Sequence, residues 1–413
     1  MNQIEDVVAE LSSDRVTELA LELIAVDTQN PPGRTVELVE WIESFLDDLG
    51  IEANRVTADP AKPNLLATIS GRDDRTLLYN GHLDTVPFDR TAWTYDPLGE
   101  REGDRIYGRG ATDMKGPLAA MLHAAEAYVR AGIEPPVDLT FAIVSDEETG
   151  GAAGLSTLLE RNLIEADACV IGEPTCEEGR HSVTVADRGS IWLTIEAIGE
   201  AAHGSRPPLG VNAIDRLYET IMTLRERFGR RTLEIDATME PILEESIEYY
   251  TPTMGAAAAR DLFVHPSINL GTIEGGEAIN SVPRSARAEV DIRLAAGVRT
   301  PEMLAEIRGC VDSCAGVTIV DVSWSIGTAE PIDSPLVEAT ASAAESVIGD
   351  RIYRRSATGG GDAKKLRHAG VPTVEFALGT DTAHAVDEYI TVEALSGNAE
   401  IYSRLPGRWL ARQ

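Results

Sequence analysis

The chain has 413 residues, 43% of them hydrophobic, which excludes wholesale disorder and exceeds the size at which one core stops growing, so two domains are expected. Asp and Glu number 68 against 36 Lys plus Arg, a formal net charge of −32, and only Lys62, Lys115, Lys364 and Lys365 are lysines. That surplus argues against nucleic acid or an anionic membrane as a partner; the plainer reading is a generally acidic surface, and the sharper one, from the replacement of Lys by Arg and acidic residues, is adaptation to a salt-rich cytoplasm.

The opening "MNQIEDVVAELSSDR" lacks a basic segment and an apolar core, and no apolar run reaches the roughly 18 residues of a membrane span, so a cytoplasmic protein without a membrane anchor is expected. Cys169, Cys176, Cys310 and Cys314 show no paired C-x-x-C pattern, which fits a reducing compartment.

Along the chain, helical apolar spacing over 14–26 and 35–50 comes first, the second helix ending at Gly50. Short apolar runs then read as strands: "NLLATIS" (64–70), "TLLYN" (76–80), "DLTFAIVS" (138–145) and "ACVIG" (168–172). Helical stretches at 117–130 and 151–162 alternate with them, which predicts an α/β fold with a mostly parallel sheet and helices on both faces. From residue 187 the order becomes β-α-β-β-α-β, that of a ferredoxin-like α+β module, through "GSIWLTIEAIG", "NAIDRLYETIMTLRERFG", "SINLGTIEG", "ARAEVDIRL", a helix at 300–315 and "VTIVDVSWSIG". The expected domains are therefore 1–186, an inserted 187–328, and 329–413, which returns to the first style with a helix at 334–348 and the strand "PTVEFALG" (372–379). Residues 231–266 are long and irregular for a loop and leave room for further structure or a functional segment.

Five strand ends deliver unusual polar clusters: His82 and Asp84 after "TLLYN", Asp113 after "DRIYGRG", Asp146, Glu147 and Glu148 after "TFAIVS", Glu173 after "CVIG", and His384 after "VEFALG". Ligands in open α/β sheets bind beyond the carboxyl ends of the strands, so one shared site is expected. Two histidines among several carboxylates form a mixed N/O set suited to Zn²⁺ or a neighbouring divalent ion. Charge balance favours two ions, whose four positive charges match Asp113, Glu148, Glu173 and a bridging hydroxide; one ion leaves the carboxylates poorly compensated. Glu147, adjacent to Glu148, is free to act as a base on water. Each position also has a plainer reading. A His-x-Asp is commonly a strand-end hydrogen bond, a Glu-Glu pair a solvated loop, Glu173 before Pro174 a strand terminator, and His123 a packed helix residue. The joint pattern is harder to reach by chance.

"GHLDTVP", "YGRGATDMKG", "SDEETGG" and "IGEPT", in that order, resemble the motifs of the dinuclear zinc amidohydrolases and exopeptidases, a family that includes acetylornithine deacetylase, succinyl-diaminopimelate desuccinylase, aminoacylase and carboxypeptidase G. The resemblance covers nearly the whole chain. It implies that His82 and Glu173 bind one zinc, Glu148 and His384 the other, and Asp113 bridges them. It implies further that Asp84 orients His82 and that Glu147 serves as general base to a metal-bridging water. "GEAAHGSRPPLGVNA" resembles the motif whose histidine reaches the partner's active site in dimeric members, which makes His203 an oxyanion donor and the inserted module a lid and homodimerisation domain. Asn280 and Arg293 then receive the substrate carboxylate, and Gly359, Gly360 and Gly361 form a substrate loop.

Pro117 replaces a usual glycine, "HAVDE" varies the residues after the distal histidine, and the 231–266 segment is longer than typical. The expectation is a two-zinc hydrolase, with Co²⁺ or Mn²⁺ as substitutes, that cleaves the amide of a small N-acyl amino acid. A metallo-carboxypeptidase or dipeptidase taking short peptides is the alternative; the intact Glu147 speaks against a non-catalytic binding protein.

Overall fold

A computed structural model describes residues 2–413. Two compact units make up the chain: the first runs to Val185 and resumes with Glu330–Arg355 and Gly361–Gln413, and the second comprises Ala186–Ala329 with Ser356–Gly360.

The first unit carries a nine-stranded sheet. Its order is Ala53–Asp59, Lys62–Ile69, Asp138–Val144, Thr76–His82, Ala168–Ile171, Thr373–Glu375, Arg180–Ala186 and Tyr353–Ser356, with Cys176–Glu177 alongside Arg180–Ala186. The four strands from Asp138–Val144 to Thr373–Glu375 are parallel, and antiparallel partners flank them. Parallel strands need crossovers, and the helices Lys115–Ala131 and Leu155–Glu160 supply two of them. Helices on both faces bury both sides of the central strands, so these read as unbroken apolar runs. Alternation along Thr76–His82 shows the two faces. Leu78 packs in a cluster with Leu155, Leu158, Ala363 and Leu366, while the Tyr79 ring lies 5.7 Å from Phe141 and 5.5 Å from Tyr402 on the opposite face.

Local chemistry fixes the helix ends. Ser12 caps Ser13–Ile24 by accepting the Arg15 N–H, and Gly132 stops Lys115–Ala131 in the left-handed conformation at φ 63°. His123 is a packed helix residue: its Nε2 accepts the Ser12 N–H at 2.9 Å and its Nδ1 lies 2.9 Å from Glu126 Oε2.

Several boundaries differ from the sequence expectation. The last central strand is only Thr373–Glu375, and the helix expected over 151–162 is Leu155–Glu160. The strand in "DRIYGRG" does not belong to the central sheet. Arg105–Tyr107 pairs with Glu100–Glu102 and Tyr389–Thr391 in a separate three-stranded antiparallel sheet. Apolar content marks a strand as buried but does not name its partners, and one of these partners, Tyr389–Thr391, lies far away in sequence.

In the second unit a four-stranded antiparallel sheet has the order Ser267–Gly275, Ser285–Leu294, Gly189–Ile198, Val317–Ser325, the arrangement of a split βαβ module, with Ala213–Arg227 and Thr300–Asp312 packed on it. The segment 231–266 contains two helices, Glu240–Met254 and Ala256–Val264, packed through Tyr249, Tyr250 and Phe263. Pro252 lies in the last turn of the first of these helices, a residue that reads in the sequence as a helix break. Among the described residues no helix is long and apolar enough to cross a membrane.

The buried Tyr79 hydroxyl donates to the Tyr402 carbonyl at 2.6 Å. Tyr79→Phe should therefore lower the unfolding free energy by about 1 kcal/mol in urea titrations followed by circular dichroism, with an unchanged denaturant slope.

Candidate metal centre

His82 stands at the carboxyl end of its strand. Its Nδ1 is 2.9 Å from the backbone carbonyl of Asp84. A carbonyl only accepts, so Nδ1 carries the proton and the lone pair of neutral His82 sits on Nε2. That atom lies 3.1 Å from Asp113 Oδ1 and 3.3 Å from Glu173 Oε1. The other oxygen of Asp113 is 3.2 Å from His384 Nε2, which in turn is 3.3 Å from Glu148 Oε1. Within each trio, His82–Asp113–Glu173 and Asp113–Glu148–His384, the candidate ligand atoms all lie within 4.8 Å of one another. Asp113 belongs to both, one oxygen toward each histidine.

The electrostatics follow from this crowding. Burial alone works to lower the pKa of His82, yet Glu173 and Asp113 carry it well above the usual value. His384 is raised to about 10 by its bonds to Asp113 and Glu148. Burial pushes Asp113 up, but the two histidines overcome it and hold the carboxyl below the ordinary range. Glu173 is driven well above that range by burial and by Asp113, and Glu147 is raised to about 8, chiefly by burial. Glu148 Oε1 is buried with His384 Nε2, 3.3 Å away, as its ion-pair partner. A crowded set of N and O donors in two trios that share one carboxylate fits a pair of divalent cations.

Asp84 departs from its expected role. Its carboxylate is 3.8 Å from His82 Nδ1 and accepts instead the backbone N–H of Glu147 at 3.0 Å, that of Glu148 at 3.1 Å and Asn30 Nδ2 at 2.8 Å. The His-x-Asp pair therefore supports the imidazole through its backbone and the acidic loop through its side chain. Asp146 is also engaged within that loop. Burial raises its pKa, but Lys62, the Ala153 N–H, Asn30 and Thr149 together lower it to about 2.

Glu147 is held closely by Gly361: a Cβ at that glycine would stand 2.8 Å from Glu147 Oε1. Gly359 and Gly360 belong to the second unit, and a Cβ at Gly359 would meet nothing within 4 Å. His203, Asn280 and Arg293 are also in the second unit. His203 is exposed, its Nδ1 2.8 Å from Ser205 Oγ, and a backbone bridge to Ser281 sets it beside Asn280, whose carbonyl accepts the Gly204 N–H. Arg293 lies apart from them, bonded to Asp291 at 2.8 Å and stacked over Trp192. The first unit thus gathers His82, Asp84, Asp113, Glu147, Glu148, Glu173, His384 and Gly361.

Sequence reasoning missed Asn30, Lys62, Arg109 and Glu388. Glu388 is fully buried, and burial followed by Asp113 raises it to about 7. A Glu entering the apolar run "YITV", and a lysine in a chain with only four, are the signals from which two of them could have been found.

A model of the family described as "Peptidase family M20/M25/M40" matches residues 78–407. The chain belongs to this family. It is similar to a succinyl-diaminopimelate desuccinylase of Sphingopyxis alaskensis, 31% identical over 400 residues, covering 93% of this chain and 96% of that one. Solved structures share the fold. An M20 family metallo-carboxypeptidase from Sulfolobus solfataricus has a TM-score of 0.78 at 21% identity, covering 95% of this chain and 99% of that one. Human carnosine dipeptidase 1 has a TM-score of 0.72 at 20% identity, covering 98% and 99%. As an M20/M25/M40 member the chain is a metal-dependent hydrolase of C–N bonds.

Gly361→Ala should displace the Glu147 carboxylate without touching a candidate ligand. The expected result is a fall in kcat of at least about tenfold with metal content unchanged, read by steady-state kinetics and elemental analysis on one preparation.

Proposed function

We propose that this M20/M25/M40 member is a two-metal deacylase that hydrolyses the amide of a small N-acyl amino acid, with an N-succinyl amino acid as the foremost candidate. The observation that carries the reading is the pair of ligand trios sharing Asp113, with Glu147 next to Glu148 in sequence and outside both trios. The similarity to succinyl-diaminopimelate desuccinylase across nearly the whole chain supports the acyl class.

In this reading His82 and Glu173 hold one ion and Glu148 and His384 the other, with Asp113 common to both. Zn²⁺ is the expected metal, Co²⁺ or Mn²⁺ its substitutes, and when bound the ions supply Lewis acidity toward the scissile carbonyl and the attacking water. Glu147 takes a proton from that water as its oxygen bonds to the acyl carbon and returns it to the amine nitrogen as the C–N bond breaks. Asp84 keeps Glu147 and Glu148 in register by accepting both backbone N–H groups.

The first unit is the catalytic domain and the second a lid and homodimerisation domain. His203, exposed and steadied by Ser205, donates to the oxyanion of the partner's substrate, while Asn280, Arg293 and the Gly359–Gly361 loop receive the rest of the substrate. Arg293 exchanges its bond to Asp291 for the substrate carboxylate. The cytoplasm is the compartment, in keeping with four free cysteines. Adaptation to high salt is supported by the lysines: Lys115 is buried and the other three are half-buried, so the exposed cations among the described residues are arginine and histidine.

The direct experiment is release of primary amine from N-succinyl-LL-diaminopimelate, N-acetylornithine, N-acetylmethionine and a plain dipeptide in molar KCl, before and after chelation. Turnover of an acylated amino acid that chelation abolishes and Zn²⁺ or Co²⁺ restores is expected; turnover of the dipeptide alone moves the protein to the peptidases. Glu147→Gln should lose several orders of magnitude in kcat with two ions still bound. Mixing that variant with His203→Ala should restore activity to the inactive pair through hybrid dimers, and no recovery would remove His203 from the partner's site. Activity and melting temperature should both rise with KCl into the molar range, and loss of activity there would rule out salt adaptation.

A further inference from the structure

The Glu388 carboxylate is fully buried and receives four donors. Its Oε1 accepts the backbone N–H of Thr112 at 2.9 Å and of Asp113 at 3.0 Å. Its Oε2 accepts the Gly110 N–H at 3.1 Å and Arg109 Nη1 at 2.5 Å. The turn that delivers Asp113 is therefore wrapped around one side chain from a remote part of the chain. That turn has no place in the central sheet, so ladder hydrogen bonds do not hold it. Arg109 is itself buried, with its guanidinium over the Trp93 ring and its Nη2 donating to the backbone carbonyl of His384 at 3.2 Å. His384 adopts φ 63°, a region that non-glycine residues seldom occupy and that persists only where neighbours hold it.

We infer that Glu388, acting with Arg109, is a positioning residue that sets the spacing between Asp113 and His384 and so tunes the second of the two metal sites. This rests on the two-metal reading of the Asp113 cluster and extends it to residues outside the ligand trios. The carboxylate grips the backbone of Asp113, and the guanidinium it anchors grips the backbone of His384. The Asp113–Glu148–His384 trio thus depends on the pair twice, and the His82–Asp113–Glu173 trio once. Carboxylate partners that orient ligands in this way are commonly worth about 10–100-fold in metal affinity.

Metal-free full-length wild type, Glu388→Gln and Arg109→Lys are titrated with Co²⁺ and with Zn²⁺, reading bound metal after equilibrium dialysis, the visible absorption of Co²⁺ and the melting temperature. E388Q keeps the length of the side chain but turns an amide NH₂ toward donors, and R109K keeps a cation for Glu388 but loses the second fork to His384. The expected result is two ions on wild type. In both variants the first ion should bind nearly as in wild type, the second about 10–100-fold more weakly, with the spectral change confined to the second equivalent and kcat restored by excess metal. Two ions of wild-type affinity in both variants, whatever the melting temperature, overturn the assignment. Equal weakening of both ions in step with a lowered melting temperature also overturns it, as a general structural effect. If E388Q does not fold, R109K decides alone. A wild type that binds no ion overturns the two-metal reading itself, which two ions on wild type and on both variants would leave standing.

Discussion

The first unit is organised around the Asp113 carboxylate, which lies between two histidines with one oxygen toward each. Removing several carboxylates from water beside one another is unfavourable unless each meets a positive partner or a set of N–H donors. The chain meets this in layers. The histidines face Asp113, Glu148 and Glu173 in a donor set suited to a pair of cations, while backbone N–H groups, Lys62 and Arg109 satisfy Asp84, Asp146 and Glu388 around them. The outer carboxylates thus act as scaffolding: each ties a turn carrying a candidate ligand or base to a second segment of chain.

That division explains why adjacent acidic residues in "SDEETGG" have different surroundings. Asp146 turns inward to Lys62, Asn30 and the Ala153 N–H, and its pKa drops to about 2. Glu148 points Oε1 toward His384, and Glu147 lies against Gly361. Asp84 fixes the backbone from which the last two project. A loop held at this many points loses little further freedom on binding, which is the physical content of a preorganised site.

The lysines follow the same economy. Lys62 bridges Asp146 and Asn30, Lys115 donates to the Val26 carbonyl beneath the Asp113 turn, and Lys365 joins Asp362 to the Gly150 carbonyl. At Lys62 and Lys365 a flexible amine with three donors links several oxygens in a confined space.

The sequence by itself determined the fold class, the two-style organisation of the chain and the residue types at the candidate centre. Unbroken apolar runs mark strands covered on both faces, and clustered His, Asp and Glu at their ends mark a site regardless of exact geometry. What only the tertiary structure decided is which group holds which. Asp84 stands two residues from His82, as an orienting carboxylate would, yet its oxygens turn to the amides of Glu147 and Glu148 more than 60 residues away. Asp113 follows a strand that belongs to a small separate sheet, and its turn is held by Glu388, separated from it by most of the chain. The helices within 231–266 lacked a clean period to announce them. Local pattern encodes which side of an element is apolar. Hydrogen bonds between distant segments depend on where the folded backbone brings donor and acceptor together, and no single stretch of sequence carries that information.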